Sequence, residues 1–301
     1  MNGIYTWNCL AYDANGGFNW SLSNRTVIVN FTGNFPPTQD TPLLNASLGT
    51  NFTYENLTVY PQNVDDLDGE EVYNITDWRV DGTSIAVLNL LFGASNNKTK
   101  DFTTYEHSVS EENSPIYNST EGIVGGAYIF NGNNERVKVS LDSSLDITET
   151  ITIEAWVNID TFSNFDAIIT KPWNTSSEPL SVYTLALSDD NNFRFGLSNN
   201  QVRTDCNSTA GSAVTDSWIY LVGTWDGFSM QVYVNGNASG SSCSFTGPID
   251  ISNQEIHIGD HPYNGILYDF DGYIDNVKIY NRSLSAEQIK VNYNEGTPIY
   301  N

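Results

Sequence analysis

A chain of 301 residues with 12 Lys and Arg against 36 Asp and Glu carries a formal net charge of −24. A field of that sign repels phosphate backbones and anionic headgroups, which excludes nucleic acid as a partner. No apolar run reaches the roughly 18 residues of a membrane span, so no membrane insertion is expected of this fragment.

Aromatics make up 13% of the composition and Tyr alone supplies 17 residues, which suits pleated, half-buried strands. The length holds one large β domain and a smaller one. Tyr5, Trp7 and Cys9 alternate on one face of an opening strand, Asn15-Gly16-Gly17 turns, and the stretch from Arg25 to Phe31 returns as the second arm of a hairpin. Asn34-Phe35-Pro36-Pro37 reads as a stiff linker, because paired prolines cannot enter a central strand. Short strands follow at 42–45, 56–60 and 73–80, with the acidic turn Asp65-Asp66-Leu67-Asp68-Gly69-Glu70 before the last. From Val87 onward the strands lengthen and the turns become richer in Asn and Gly: 87–91, 127–131, 136–140, 151–158, 167–171, 182–187, 192–197, 218–225, 229–235, 255–259 and 273–281. Such spacing predicts a two-sheet antiparallel sandwich or jelly roll, an all-β class. Only 285–293 reads as a helix, with Ser283 or Ser285 as its cap and Gly296 as its stop.

Three cysteines in an exported chain leave one without an internal partner. Cys206 and Cys243 lie in hairpin-like segments of the larger domain and are the expected disulfide, with Cys9 left over. Thirteen Asn-x-Ser/Thr acceptors, from Asn19 to Asn281, point to an exported glycoprotein. The opening Met1-Asn2-Gly3-Ile4-Tyr5 has no signal-peptide pattern, so the chain is expected to be a piece of a longer protein, extracellular or displayed on a cell surface.

Several motifs, in order, resemble one family. Gly126-Ala127-Tyr128-Ile129-Phe130-Asn131-Gly132 with Val137-Lys138-Val139 resembles the first core hairpin of laminin-G-like (concanavalin A-like lectin/glucanase) jelly rolls. Ile151-Thr152-Ile153-Glu154-Ala155-Trp156-Val157 resembles their central strand. Trp218 to Gly227 leading into Val232-Tyr233-Val234-Asn235-Gly236 resembles their Trp strand, turn and YVNG strand. Ile256-His257-Ile258-Gly259, then Gly272-Tyr273-Ile274-Asp275-Asn276-Val277, and the terminal helix close the pattern. Gly3-Ile4-Tyr5-Thr6-Trp7 and the stretch from Leu44 to Val87, with Trp78, are similar to pieces of immunoglobulin-like domains. The combination resembles multidomain prokaryotic surface proteins, with archaea as the expected source. The expected domains are 1–33, the terminal hairpin of one immunoglobulin-like sandwich; 34–84, the first strands of another, which pair with 1–33 or stand apart; 85–297, the jelly roll; and 298–301, a tail.

The resemblance implies calcium between Asp101, in an early loop, and Asp275, in a late strand, although Thr104 and Val109 stand where the family often has glycines. Asp65, Asp66 and Asp68 are a second calcium candidate, against the plainer reading of an acidic turn. His257, Asp260 and His261 are close in sequence, but a strand followed by a loop does not fix them on one side for a transition metal. Aromatics on loops grip sugar faces, and the candidates are Phe165, Trp173, Tyr263 and Tyr268, with Asp166, Asp260, Asn264 and Asp269 as hydrogen-bonding neighbours. Trp156, Trp218 and Tyr233 are on core strands and are expected to pack. The Glu-x-Asp-x-x-Glu signature of glucanase relatives is missing, Glu154 is a lone acid, and no Ser/His/Asp or Cys/His arrangement stands out. The expectation is therefore no enzyme but a recognition or adhesion module for glycan or a surface protein. A passive spacer is the alternative, and a glycoside hydrolase on the same fold a remote one.

Overall fold

The structure is a computed structural model that describes residues 3–7, 10–12, 18–20, 25–29, 35–46, 57–69, 72, 74–163, 165–173, 180–263 and 266–296, with side chains placed for 35–45, 57–69, 72, 74–163, 165–173, 180–261 and 268–294. Cys9 lies outside the described residues. The chain divides into two units, 1–75 and 76–301.

In the first unit, β1 (Gly3–Trp7), β2 (Leu10–Tyr12), β3 (Phe18–Trp20), β4 (Arg25–Val29), β5 (Thr38–Ala46) and β6 (Leu57–Asp65) form two-stranded ribbons. β1 pairs β4, β2 pairs β3 and β5 pairs β6, all antiparallel. Leu43, Leu44, Leu57 and Tyr60 of the last ribbon are exposed.

The second unit opens with β7 (Arg79–Val80) and β8 (Thr83–Ser84), joined through Asp81 and Gly82 at φ 51° and 83°. Two left-handed residues in a two-residue turn match the twist of a hairpin, and Asp-Gly is the pair that adopts them cheaply. The strands β9 (Ala86–Leu90), β10 (Val109–Glu112), β11 (Ile116–Asn118), β12 (Ala127–Asn131), β13 (Arg136–Val139), β14 (Ile151–Ile159), β15 (Ala167–Pro172), β16 (Ser181–Ser188) and β17 (Asn192–Asn199) follow. Then come β18 (Val202–Asn207), β19 (Trp218–Trp225), β20 (Ser229–Val234), β21 (Asn237–Ser244), β22 (Ile256–Ile258), β23 (Pro262–Tyr263), β24 (Ile266–Leu267), β25 (Asp271–Tyr280) and one helix, α1 (Ala286–Gly296).

Two antiparallel sheets carry this unit. A seven-stranded sheet runs β10-β13-β22-β15-β16-β17-β18, and an eight-stranded sheet runs β11-β12-β25-β14-β19-β20-β21 with β9 also on β25. One edge of β25 is shared: Tyr128 of β12 lies opposite Ile274, and Leu90 of β9 opposite Val277. Asn276 between them has φ 50°, and the ladder to β14 shifts register there, between Glu154 and Trp156. That extra residue is a bulge, which bends the strand so that its halves meet different neighbours.

Alternation builds the core. Ile151, Ile153, Ala155, Val157 and Ile159 of β14 point toward Tyr183, Leu185 and Leu187 of β16 and Phe193, Phe195 and Leu197 of β17, all in one buried cluster. Gly223 of β19 leaves room for the Phe195 ring, which a Cβ there would overlap. Trp156, Trp218 and Tyr233 pack, as expected, but on the other face of their sheet. With Tyr220, Leu284, Ile289 and Tyr293 they form a second cluster under α1, where Trp156 stacks on Tyr293 at 5.6 Å. Glu154, beside them and 1% exposed, accepts from the Tyr220 and Tyr280 hydroxyls and the Asn292 amide. Of the two expected caps, Ser285 is the one used: its Oγ accepts from Gln288 N at 3.3 Å while Gln288 Oε1 accepts from Ser285 N at 2.9 Å, a reciprocal capping box.

Cys206 and Cys243 form a disulfide with Cα atoms 5.5 Å apart. It ties β18, the last strand of one sheet, to β21, the last strand of the other. Closing a loop of sequence separation 37 restricts the unfolded chain, by the loop-entropy relation, by about 3–4 kcal/mol. Reduction, or Cys206→Ser with Cys243→Ser, is expected to lower unfolding free energy by that order, read as a lower urea midpoint, with a somewhat steeper slope because the freed unfolded chain exposes more surface. An unshifted midpoint would remove the staple from the stability of the sandwich.

Candidate functional site

The pleat that sends Phe193, Phe195 and Leu197 into the core sends Arg194, Gly196 and Ser198 the other way. Register extends this across the seven-stranded sheet. Lys138 lies opposite His257, His257 opposite Thr170, Thr170 opposite Thr184, Thr184 opposite Gly196, and Gly196 opposite Asp205. A polar sheet face is ordinarily washed by solvent, yet here Thr170 and Ser198 are 0% exposed and Thr184 and Arg194 are buried. Thr170 Oγ1, Ser198 Oγ and His257 Nδ1 have no hydrogen-bond partner, while the Asp260 and Asp269 carboxyls at the edge of this face bond to each other. Buried polar atoms are nearly always partnered by protein, ordered water or ligand, and ordered water can meet these as well as a ligand can.

A cleft of about 450 Å³, including its open mouth, lies over part of this face. The sheet contributes Thr184, Arg194 and Arg203; the chain segments beside it contribute Phe165, Leu180, His261 and Tyr268. The Phe165 and Tyr268 rings meet edge to face at 6.2 Å, and the Arg194 guanidinium lies over the Phe165 ring at 4.8 Å. Phe165 holds φ 75°. A bulky residue in the left-handed region is strained, and such strain persists where surrounding contacts fix a side chain in one place. Arg203 grips Asp205 with two bonds, 2.8 and 2.7 Å.

The acids near the cleft are set back from it. Asp260 is 0% exposed and ion-paired with Arg136; burial and neighbouring Asp269 still hold its carboxyl above the ordinary range. Asp166, 3% exposed, is pushed up to about 7 by burial, with Asp269 and Asp271 adding repulsion. Burial, then Arg136, pushes the His257 imidazole down to about 3, and burial lowers His261, aided by Arg203 and Arg194. Both imidazoles are therefore neutral at pH 7.

Of the sequence candidates, Phe165 and Tyr268 come together as walls of one cleft. Trp173 does not line it; its ring packs against the inter-sheet core, while its backbone N–H donates to the Leu180 carbonyl at 3.0 Å. Asp260 lies behind the cleft as a buried ion-pair partner. Tyr263 is in the short strand β23, its side chain outside the described residues, as is Asn264 altogether. Arg194, Arg203, Thr184 and His261 were not singled out as ligand contacts. The alternation Asn192-Phe193-Arg194-Phe195 carries the signal for Arg194, since two core phenylalanines flank it.

Asp101 and Asp275 have different surroundings. Asp101 Oδ1 accepts from Asn89 N and Thr103 N; its Oδ2 accepts from Thr103 Oγ1, His107 N and His107 Nδ1, the last at 2.7 Å. Asp275 accepts from Ile123 N at 2.8 Å and Asn276 N at 2.7 Å on separate oxygens, and full burial pushes its carboxyl up to about 8. Donors already occupy both oxygens of each acid, which does not fit a hard cation seeking several free oxygens. Among the described residues no group of three or more His, Cys, Asp and Glu converges on a metal position. Asp66 Oδ1 accepts from Asp68 N at 2.8 Å, Asp68 Oδ2 from Phe35 N at 2.6 Å, and Asp65 is exposed at the end of β6, the hydrogen bonding of a turn.

His107 Nε2 also meets Ser144 Oγ at 2.9 Å, so Asp101, His107 and Ser144 form a hydrogen-bonded chain not foreseen from sequence. Around Ser144 the N–H groups are committed: Ser144 N to Asp142 Oδ1 and Leu145 N to Asp142 O. Those two N–H groups are not available to a developing oxyanion, and the three side chains brace the 101–107 loop against the 143–145 turn.

Residues 131–290 match the family described as the concanavalin A-like lectin/glucanases superfamily. No curated protein matches the sequence. Among solved structures the chain is similar to the binding domain of Paraclostridial Mosquitocidal Protein 1, with 17% identity and TM-score 0.54 over 69% of this chain and 52% of that one. It is similar to the botulinum neurotoxin serotype D ligand binding domain in complex with N-acetylneuraminic acid, with 17% identity and TM-score 0.54 over 70% and 50%. It is also similar to domain 4 of AbnA, a GH43 extracellular arabinanase from Geobacillus stearothermophilus, in complex with arabinotriose, with 17% identity and TM-score 0.54 over 69% and 98%. The chain thus spans about half the length of the two toxin domains and nearly all of the arabinanase domain. The likeness is one of fold: a concanavalin A-like jelly roll.

Two outcomes follow from these carboxyls. Asp166 has a folded value of about 7 against an ordinary 3.8, so the folded state keeps a proton that the unfolded chain releases. Its contribution to stability is complete below about pH 4 and is lost as pH rises through about 7; Asp166→Asn should flatten the fall in melting temperature between pH 5 and 8, and an unchanged slope would contradict it. Millimolar calcium should leave the melting temperature where chelator leaves it, because only an ion bound by the folded state raises it; a rise would restore the ion to Asp101 and Asp275 or to the 65–68 turn.

Proposed function

We propose, on the premise that this chain belongs to the concanavalin A-like lectin/glucanases superfamily, that its second unit is a non-catalytic recognition module that binds glycan in the cleft on the seven-stranded sheet. One observation carries the reading: an edge-to-face aromatic pair, Phe165 and Tyr268, beside a sheet face with buried, unpartnered polar atoms. A sugar has an apolar ring face and a rim of hydroxyls, and needs flat apolar area next to polar groups of fixed direction. Two proteins of the same fold were solved with sugars bound, N-acetylneuraminic acid in one and arabinotriose in the other, which supports the class of ligand.

A glycosidase reading is weaker on its own chemistry. Glycoside hydrolysis needs two carboxyl groups flanking the sugar bond, and no carboxyl group lines this cleft among the described residues. The disulfide and the Asn-x-Ser/Thr acceptors support a secreted or surface-displayed protein. Calcium stands apart from this proposal as an ion whose presence the melting comparison decides.

A glycan array containing neutral and acidic oligosaccharides tests the proposal. Saturable binding is expected, with Phe165→Ala and Tyr268→Ala each weakening it by about tenfold, the equivalent of about 1.4 kcal/mol. Uniform silence of the folded protein would favour a passive spacer of a surface protein, and binding untouched by either substitution would move the site elsewhere, to a surface that meets a protein.

A further inference from the structure

β18 ends with side chains turned alternately inward and outward. Cys206 is 0% exposed and belongs to the inter-sheet core, where it is joined to Cys243. The two-residue period then turns Arg203, Asp205 and Asn207 to the opposite face, the face on which Arg203 lines the cleft. Asn207 stands directly opposite Arg194, a second cleft residue, on the neighbouring strand β17, and side chains so paired are about 5 Å apart at Cβ. Because β18 is the outermost strand of its sheet, Asn207 is placed beside the cleft at the rim, and it is exposed.

Asn207-Ser208-Thr209 is also one of the Asn-x-Ser/Thr acceptors, the triplet that takes an N-linked glycan at accessible surface. Ser208 is buried, its Oγ accepting from Phe193 N at 2.8 Å, while Asn207 and Thr209 on either side face solvent. Among the described acceptors of the second unit, Asn118 and Asn237 belong to β11 and β21 of the eight-stranded sheet, and Asn97 and Asn281 lie outside strands. Asn207 alone of these is on a strand of the seven-stranded sheet, on the side where the cleft opens. We propose that Asn207 is a modification site, carrying an N-linked glycan rooted beside Arg194 that lies over the cleft and competes with soluble ligand for it. The donor is an oligosaccharide on a lipid pyrophosphate, supplied with its transferase by an export pathway. A C–N bond forms between Asn207 Nδ2 and the anomeric carbon, the C–O bond to the pyrophosphate breaks, the pyrophosphate leaves with the electron pair, and water takes up the proton lost from Nδ2. A group tethered this close is present at an effective concentration on the order of millimolar, so it needs little intrinsic affinity to hold out a soluble sugar. The competition rests on the glycan reading of the cleft; the modification stands on the triplet, its exposure and its register.

The full chain, given an export leader, is made in a host that adds N-linked glycans, and its peptides are read by mass spectrometry. The peptide containing Asn207 should carry a sugar mass that a peptide N-glycosidase removes, leaving Asp in place of Asn. On the glycan array the modified protein should bind about tenfold more weakly than the treated protein. Asn207→Gln from the same host should match the treated protein, and Asn118→Gln, which removes an acceptor on the other sheet, should still bind weakly. If Asn207→Gln fails to fold, Asn207→Asp, the residue the glycosidase itself leaves, takes its place. A bare Asn207 peptide overturns the inference, and so does a modified one with equal binding before and after treatment. Saturable binding by protein whose Asn207 is bare sinks the inference while the glycan reading stands. Silence of both forms on the array removes that reading and the competition together.

Discussion

The two-residue period of the strand governs this molecule. In β16 and β17, Tyr183, Leu185, Phe193 and Phe195 fill the space between the sheets, and the same pleat commits Thr184, Arg194 and Ser198 to the opposite face. Slipping β17 by one residue would put arginine into the core and phenylalanine into the cleft, and slipping β16 would put Thr184 where Leu185 packs. The site is thus the reverse side of the packing: its polar groups are rigid because the residues between them are locked against the other sheet.

The eight-stranded sheet uses its outer face differently. There Trp156 and Tyr220 are covered by Tyr293 of α1, and Glu154 receives the hydroxyl and amide groups that would otherwise be stranded under the helix. A buried carboxylate is tolerated when its lone pairs are met, and Glu154 has Tyr220, Tyr280, Asn292 and, at 3.8 Å, Lys278. One face of the sandwich is covered by a helix, and the other carries an open cleft, which is where the proposed glycan binds.

Excess negative charge is managed by burial and pairing. Asp101 and Asp275 pin loops by collecting N–H donors, Asp260 holds Arg136, and Asp166 sits behind the Phe165 turn. Withdrawing these acids leaves the cleft to aromatic rings, two guanidinium groups and a neutral imidazole. An acidic chain thereby presents its ligand with a surface unlike its average composition.

The sequence alone determined the class of fold, because alternation around Ile153, Phe195 and Ile274 admits only strands with one face buried, and it determined the terminal helix from Ser283 or Ser285 as a cap and Gly296 as a stop, while the structure chose Ser285. It also paired Cys206 with Cys243. Strands 83–84, 109–112, 116–118, 202–207, 237–244, 262–263 and 266–267 escaped it; of these 202–207 and 237–244, the latter Asn-Ala-Ser-Gly-Ser-Ser-Cys-Ser, have little strand propensity and become strands because the unpaired edges of β17 and β20 offer them hydrogen bonds. Tertiary structure decided the site. It brought Phe165 to Tyr268 and set Trp173 apart, gave Asp101 a histidine, and placed the Leu180 carbonyl, 81 residues away, against His261 Nε2. Periodicity acts between neighbours along a strand and can be read there. Which loops meet above a sheet depends on contacts between residues whose separation in sequence carries no period.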